Sequence, residues 1–379
     1  MKNLSIILIF ILTSSGLFAT DYSKIDSQSH YVPFQLTKPV DIARYLTRNL
    51  YTEEDKLRAI FYWTANTIRF DVKQIPGPDY RYMVSGERNF LKEVLDTHQG
   101  VCQHYAMLFD TLCHSVGIKS FFICGYTHQD KEIAPLSHAW NAVLIGGEYY
   151  CLDVTWSAGY IEDEKYRAEF HDDWYLIKPS KFIKTHVPFD PVWQLLEYPL
   201  TNDEILTGNF IDTKEKIKYN FTDSITALQN RDTLTSLITE NLRIQQMGIT
   251  NELINNYVYF NNQNIVQMRY NASVGCFNKA VQLYNQYVAA KNSQFNKTSI
   301  PEDEIKALLE NAHKHTDNAD KYLKILLESN QRSHSNFNSL QSAIIHLKQE
   351  LATEDEFVKR YIKTLKPLRM LLFTKQGGE

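Results

Sequence analysis

Residues 100–117 read GVCQHYAMLFDTLCHSVG and place Cys102 at the first turn of an expected helix. Tyr105, Leu108, Phe109, Leu112, Cys113 and Val116 recur there at three- and four-residue steps, and Gly117 stands where such a helix would end. A helix start carries partial positive charge and unpaired N–H groups, which favour a thiolate and can hold an oxyanion. A cysteine in that place can act as a nucleophile if a base lies within reach. Cys113, deep among the apolar positions, reads instead as a core residue.

The base and its orienting acid come from a hairpin. AWNAVLI (Ala139 to Ile145) and EYYCLDVTW (Glu148 to Trp156) flank Gly146-Gly147, a two-residue turn signal. If Ile145 faces Glu148, the pairing runs on until Trp140 faces Asp153 and His138 faces Thr155. Asp153 is then a diagonal neighbour of His138 on one face of the hairpin, whereas Asn141, three residues along the strand, points to the other face. The trio Cys102, His138 and Asp153 suits acyl transfer: the imidazole takes the thiol proton, the carboxylate fixes the tautomer, and the thiolate attacks an acyl carbon.

The elements that must position this trio are spread along the chain. From Asp41 to Phe70 the apolar positions follow helical spacing, with Leu57, Ile60, Phe61 and Thr64 on one stripe and Thr52 ahead of three acids as a helix start. QIPGPDYRY at 74–82 reads as a loop, and a helix is expected through Phe90 to Leu95. IKSFFICGY, Ile118 to Tyr126, reads as a strand that precedes the hairpin in the chain.

These segments also carry a family likeness. GVCQHYAMLF, SHAWNAVLIGGEYYCLDVTWSAG and DWYLIKPSKFIKTHVPFDPVWQLL resemble the transglutaminase-like superfamily, most closely its branch that includes the kyphoscoliosis peptidase and a cytokinesis protein. FYWTANTIRFD resembles that family's Trp-Ile-x-x-Asn-Ile-x-Tyr-Asp helix, with Trp63 and Asp71 in matching places. The resemblance spans 45–200 and implies a papain-like α+β fold, a nucleophile helix packed on an antiparallel sheet. It places the nucleophile at Cys102, the base at His138 and the acid at Asp153, and it implies amide hydrolysis or acyl transfer to an amine. The family usually has a small residue two places after the nucleophile, and here it is His104. His98, His104 and His114 otherwise read as exposed histidines. Trp63, His104, Trp140 and Trp156 are the candidates for lining a substrate cleft, with core packing the favoured reading for each of the three tryptophans.

Composition sets the bounds. The chain has 379 residues, 44% of them hydrophobic and 22% charged, with a net charge of -4, so two globular domains are expected and a nucleic-acid partner is not. MKNLSIILIFILTSSGLFAT has a short basic start, an apolar run too short to span a bilayer and a small-residue end, which reads as a signal peptide over 1–19 and an exported protein, periplasmic or secreted. An irregular lead-in is expected over 20–44. Five cysteines in an exported chain leave at least one thiol outside any internal disulfide. No stretch has calcium- or zinc-ligand spacing, so no metal or cofactor is expected.

Beyond about residue 200 the strand signals fade, and 201–379 reads as an all-α domain. Helices are expected over Lys214 to Leu228, Thr233 to Met247, Asn264 to Lys291, Pro301 to Ser329 and Asn336 to Leu365, with the Asn-rich run NELINNYVYFNNQN as solvated helix and loop. The triplets at Asn220, Asn271 and Asn296 fit glycosylation acceptors. The first reading is therefore an exported cysteine enzyme acting on protein or cell-wall peptide, with a helical domain that holds a partner or positions substrate. The second is a non-catalytic adaptor on the same fold.

Overall fold

The computed structural model describes residues 21–74, 87–129, 132–209, 211–295, 301–328 and 335–373. The apolar run at 1–19, most of the loop at 74–82, the helix start at Ser299-Ile300 and the triplet beginning at Asn296 lie outside them. The chain divides into two compact units, Met1–Ser224 and Ile225–Glu379.

The first unit opens with α1 (Ser23–Ser29), α2 (Pro39–Leu46) and α3 (Glu53–Thr67). Thr52 caps α3, its hydroxyl oxygen accepting from the Asp55 N–H at 3.0 Å, and three acids follow in the first turn. The short strand β1 (Arg69–Phe70), helix α4 (Glu87–Thr97) and strand β2 (Gln99–Gly100) come next, β1 and β2 pairing in parallel. They lead directly into α5 (Cys102–Ser115), which Gly117 follows at a φ of 82°.

A four-stranded antiparallel sheet supports α5. Strands β3 (Lys119–Gln129), β4 (Glu132–Ile145), β5 (Glu148–Leu152) and, later in the chain, β8 (His186–Pro188) lie in the order β5-β4-β3-β8. Between β5 and β8 come α6 (Val154–Ala158), the small hairpin of β6 (Gly159–Glu162) and β7 (Lys165–Ala168), and α7 (Pro179–Phe182). After β8 the unit has α8 (Asn202–Thr207). The apolar face of α5 (Tyr105, Leu108, Phe109, Leu112 and Cys113) meets Leu57, Ile60 and Phe61 of α3 and Val143 and Leu152 of the sheet in one core. Asn141, wholly buried, donates from Nδ2 to the carbonyl of Ala106 at 3.0 Å and to that of Phe121 at 3.4 Å, tethering the middle of α5 to β3. The mixed α+β layer of helix on antiparallel sheet is the class expected.

The hairpin begins in the expected register. Ile145 faces Glu148 across Gly146 and Gly147, at φ of 59° and 83°, and the pairing holds as far as Asn141 opposite Leu152. There β5 stops. Asp153 does not face Trp140, nor Thr155 His138, because Asp153 leaves the strand to cap α6. Conversely, β3 and β4 run longer than expected, to Gln129 and from Glu132, with a register shift between Tyr126 and His128.

Arg58 of α3 secures the N-terminal segment. It is 1% exposed. Its Nε and Nη2 donate to Asp26 of α1 at 2.7 and 2.6 Å, and Nη1 pairs with Asp172 in the loop after β7. Burial opposes its charge, but the bonds to both carboxylates outweigh that and raise its pKa. The guanidinium lies beside the rings of Tyr22 and Tyr175.

Helix α9 (Phe221–Gln229) is shorter than the expected Lys214 to Leu228, a 3₁₀ turn at Thr213–Glu215 taking part of that range. The second unit consists of α10 (Thr233–Met247), α11 (Glu252–Asn292), α12 (Glu302–Glu328), α13 (Ser335–Lys363) and a closing 3₁₀ turn at Lys366–Leu372. The buried residues of α12, Ile305, Leu309, Ala312, Thr316, Ala319, Leu323 and Leu326, alternate four- and three-residue steps, the seam of a packed helical bundle. The Asn-rich run is a correction: it is continuous helix from Glu252, and it is not merely solvated. Asn241 of α10 donates to Asn262 at 3.0 Å, and Asn261 donates to Asn241 at 3.1 Å, so these amides join the two helices.

Replacing Arg58 with Leu leaves two carboxylates without their cation. We expect a loss of about 3 kcal/mol in urea unfolding of the full chain. Arg58→Lys should recover less than half of that, because one ammonium cannot make the paired bonds to Asp26 and still reach Asp172.

Candidate active site

Cys102 is the first residue of α5, and it sits there because the chain ahead of it is pinned. Arg69 N–H donates to the His98 carbonyl and Asp71 N–H to the Gly100 carbonyl, both at 2.9 Å. His98 holds a φ of 51° and is exposed. One turn on, His104 folds back so that its Nδ1 accepts from the Val101 N–H at 3.1 Å. Burial lowers the His104 pKa to about 4, which leaves the ring neutral and able to accept that bond. Gly100 makes the arrangement possible: a Cβ there would lie 2.4 Å from the Cβ of His104. The thiol of Cys102 is half-buried, and no disulfide links the five cysteines.

His138 lies on β4 opposite Gly125 of β3. Its Nε2 is 2.6 Å from Oδ2 of Asp153, and the ring is also hydrogen-bonded to Cys102. With Nε2 turned to the carboxylate, Nδ1 is the nitrogen left for the thiol. Asp153 is wholly buried and accepts on both oxygens. Its Oδ1 takes the N–H groups of Thr155 at 2.8 Å and Trp156 at 3.0 Å, the first turn of α6. Its Oδ2 takes His138 and, at 3.2 Å, Nε2 of His186 on β8.

The charges follow from these contacts. Burial opposes a proton on His138, but the charge and hydrogen bond of Asp153, with Cys102 adding to both, hold its pKa well above the ordinary histidine value. Burial would raise Asp153, yet the two imidazoles hold it well below the usual carboxylate range. His186 goes the other way: burial lowers it to about 4 despite the carboxylate, so it is neutral. Aromatic rings pack around the imidazoles. Trp156 lies 5.6 Å from His138 and 4.5 Å from His186, Trp140 lies 6.1 and 5.3 Å from them, and Phe182 stacks on His186 at 4.1 Å.

The structure thus brings together Cys102, His138 and Asp153, and separates the other candidates. Trp63 is 4% exposed in the α3 core and Trp140 is 1% exposed beneath the histidines, so neither offers a surface to substrate. His104, read as exposed or as a cleft residue, is instead a buried cap at the start of α5. Trp156 alone of the four keeps part of its surface open beside His138. His114 is exposed and pairs with Asp110.

His186 is the residue that the spacing argument missed. It lies 33 positions after Asp153, on a strand of three residues, too short for an alternation signal. The available hint was a histidine set in the short apolar run THVPF. The three atoms of His138, Asp153 and His186 lie within 4.8 Å of one another, close enough for a metal ion, but hydrogen bonds among them account for that proximity.

Comparison with known proteins agrees with the region so described. The family model for the transglutaminase-like superfamily matches residues 40–154. The human kyphoscoliosis peptidase is 28% identical over 198 residues, covering 50% of this chain and 29% of that protein. Cytokinesis protein 3 of Schizosaccharomyces pombe is 23% identical over 185 residues, 46% of this chain and 20% of that one. A crystal structure of a TGase aligns over 42% of this chain and 37% of that chain at 16% identity, with a TM-score of 0.25. The chain spans about a quarter of the length of the curated relatives it matches. Residues 40–154, which hold α5 and the Cys102, His138 and Asp153 side chains, are the stretch that the transglutaminase-like superfamily model matches.

Proposed function

We infer that the first unit is a thiol-dependent acyl-transfer enzyme of peptidase or transglutaminase type. The observation that carries this reading is the unbroken relay from the Cys102 thiol through His138 to the buried Asp153 carboxylate. The imidazole takes the thiol proton, and the thiolate attacks the carbonyl carbon of an amide. N–H groups at the start of α5 face the oxyanion that forms. As the C–N bond breaks, its electron pair takes the proton from the His138 imidazolium and the amine leaves, with a thioester on Cys102. Water or an amine then attacks the thioester, with His138 again as base. Asp153 keeps its charge throughout and holds the imidazolium.

The substrate class proposed is an amide of a protein or cell-wall peptide, and the apolar run near the N-terminus supports export as the setting. In this reading the helical unit binds a protein partner or positions the substrate.

Mass-spectrometric rates of Cys102 alkylation by iodoacetamide test the relay without a known substrate. At about pH 6 the wild type should react at least tenfold faster than His138→Ala. Equal rates in the two would point to an adaptor that keeps only the fold.

Asp153→Asn preserves the oxygen that caps α6 and removes the charge that keeps His138 protonated. Because that charge raises the His138 pKa, the imidazolium persists at low pH and is lost as pH rises through the raised value; in the variant the loss occurs at lower pH. Alkylation near neutral pH should therefore slow by about tenfold or more, with an unchanged circular dichroism spectrum.

A further inference from the structure

The Asp153 carboxylate is shared. Its Oδ2 accepts from two imidazoles, His138 at 2.6 Å and His186 at 3.2 Å. The direction of each bond around His186 can be assigned. The carboxylate is ionised, so Nε2 of His186 must carry the hydrogen; the ring is neutral, so Nδ1 has the lone pair and accepts from the Thr185 hydroxyl at 2.8 Å. Phe182 stacked on the ring, and Trp156 and Trp174 at 4.5 and 5.0 Å, pack it into this plane. The His186 side chain has no exposed surface.

We propose that His186 is a positioning residue that donates a second hydrogen bond to the shared carboxylate and so limits how strongly Asp153 holds the proton on His138. This rests on the Cys102, His138 and Asp153 reading above and adds a fourth member that does not itself exchange a proton. When His138 gives up its proton to the leaving amine, the buried cluster is left with the negative charge of Asp153. A neutral donor on Oδ2 stabilises that state, so the imidazolium releases its proton more readily. The donor thereby serves the second half of acylation, in which His138 must act as an acid.

The groups facing His186 are few. Asp153, His138 and His128 are the titratable groups that act on it, Thr185 holds its Nδ1, and Phe182, Trp140, Trp156 and Trp174 pack against the ring. Gly125 leaves room over β3 for the Trp140 ring beneath the two histidines and for the Val187 carbonyl, from which an added Cβ would lie 2.4 and 2.1 Å.

The test is a nuclear magnetic resonance titration of the full chain with labelled histidine, the His138 signal assigned through His138→Gln. In His186→Phe, which keeps a ring against Phe182 and loses the donor, the His138 midpoint should move up by about one pH unit. In His186→Gln, whose amide can donate to Oδ2, the midpoint should return toward the wild type. Thr185→Val, a change at a partly buried hydroxyl, should shift it in the same upward direction and serves if the phenylalanine variant does not fold. A midpoint that stays put or moves down in the folded variants overturns the proposal. The acyl-transfer reading fails separately, if wild-type and His138→Ala proteins alkylate at the same rate, and the His138 titration reports on the shared carboxylate in either case.

Discussion

A carboxylate with no exposed surface is the constraint around which the first unit is arranged. An ionised acid cannot be buried unless its oxygens are occupied by donors. Asp153 meets that demand with four, two from the backbone of the helix it starts and two from imidazoles on separate strands. The donors come from α6, β4 and β8, so satisfying one side chain fixes where β5 must end, which edge of the sheet β8 must occupy, and which way His138 must turn. The thiol is positioned last, by the helix that Asn141 ties to the middle of the same sheet.

The trio was legible because its members lie near local signals: a glycine-flanked hairpin, a helix start, and a parity that excluded Asn141. Parity pointed to the carboxylate that lies against His138, but through a geometry the structure does not have. Asp153 was expected to reach His138 diagonally across two strands, and it reaches from a helix cap instead. Both geometries bring the same side chain near because a cap and the last strand residue differ by only one position. His186 was illegible for the opposite reason. Its contact with Asp153 spans a small hairpin and a helical turn, and nothing in the five residues around it encodes where the chain will return. The tryptophans stood between two readings, cleft and core, and core packing, the favoured one, is what Trp63 and Trp140 do. A tryptophan on a strand beside His138 can wall a cleft or floor it, and the strand pattern alone does not say which side of the histidine is solvent.

In the helical unit the heptad-like spacing of α12 was present in the sequence, as were the ends of α10. The asparagines obscured the rest. Composition marks Asn as a loop former, since its side chain competes with the backbone for hydrogen bonds. In α10 and α11 the amides bond to each other across the interface, which removes that competition and lets α11 run unbroken for 41 residues. Tertiary pairing overrode local preference there, as the buried pairing of Arg58 gave α3 a charged residue on its apolar side.

The fit between Gly100 and His104 makes the start of α5 a volume shared by two positions. A methyl group added at 100 would lie 2.4 Å from the Cβ of His104, so position 100 is held to glycine for as long as a ring stands at 104. A smaller residue at 104 would release that constraint and, with it, the acceptor that holds the Val101 N–H. A side chain one turn into the helix thus dictates what the chain ahead of the helix can carry.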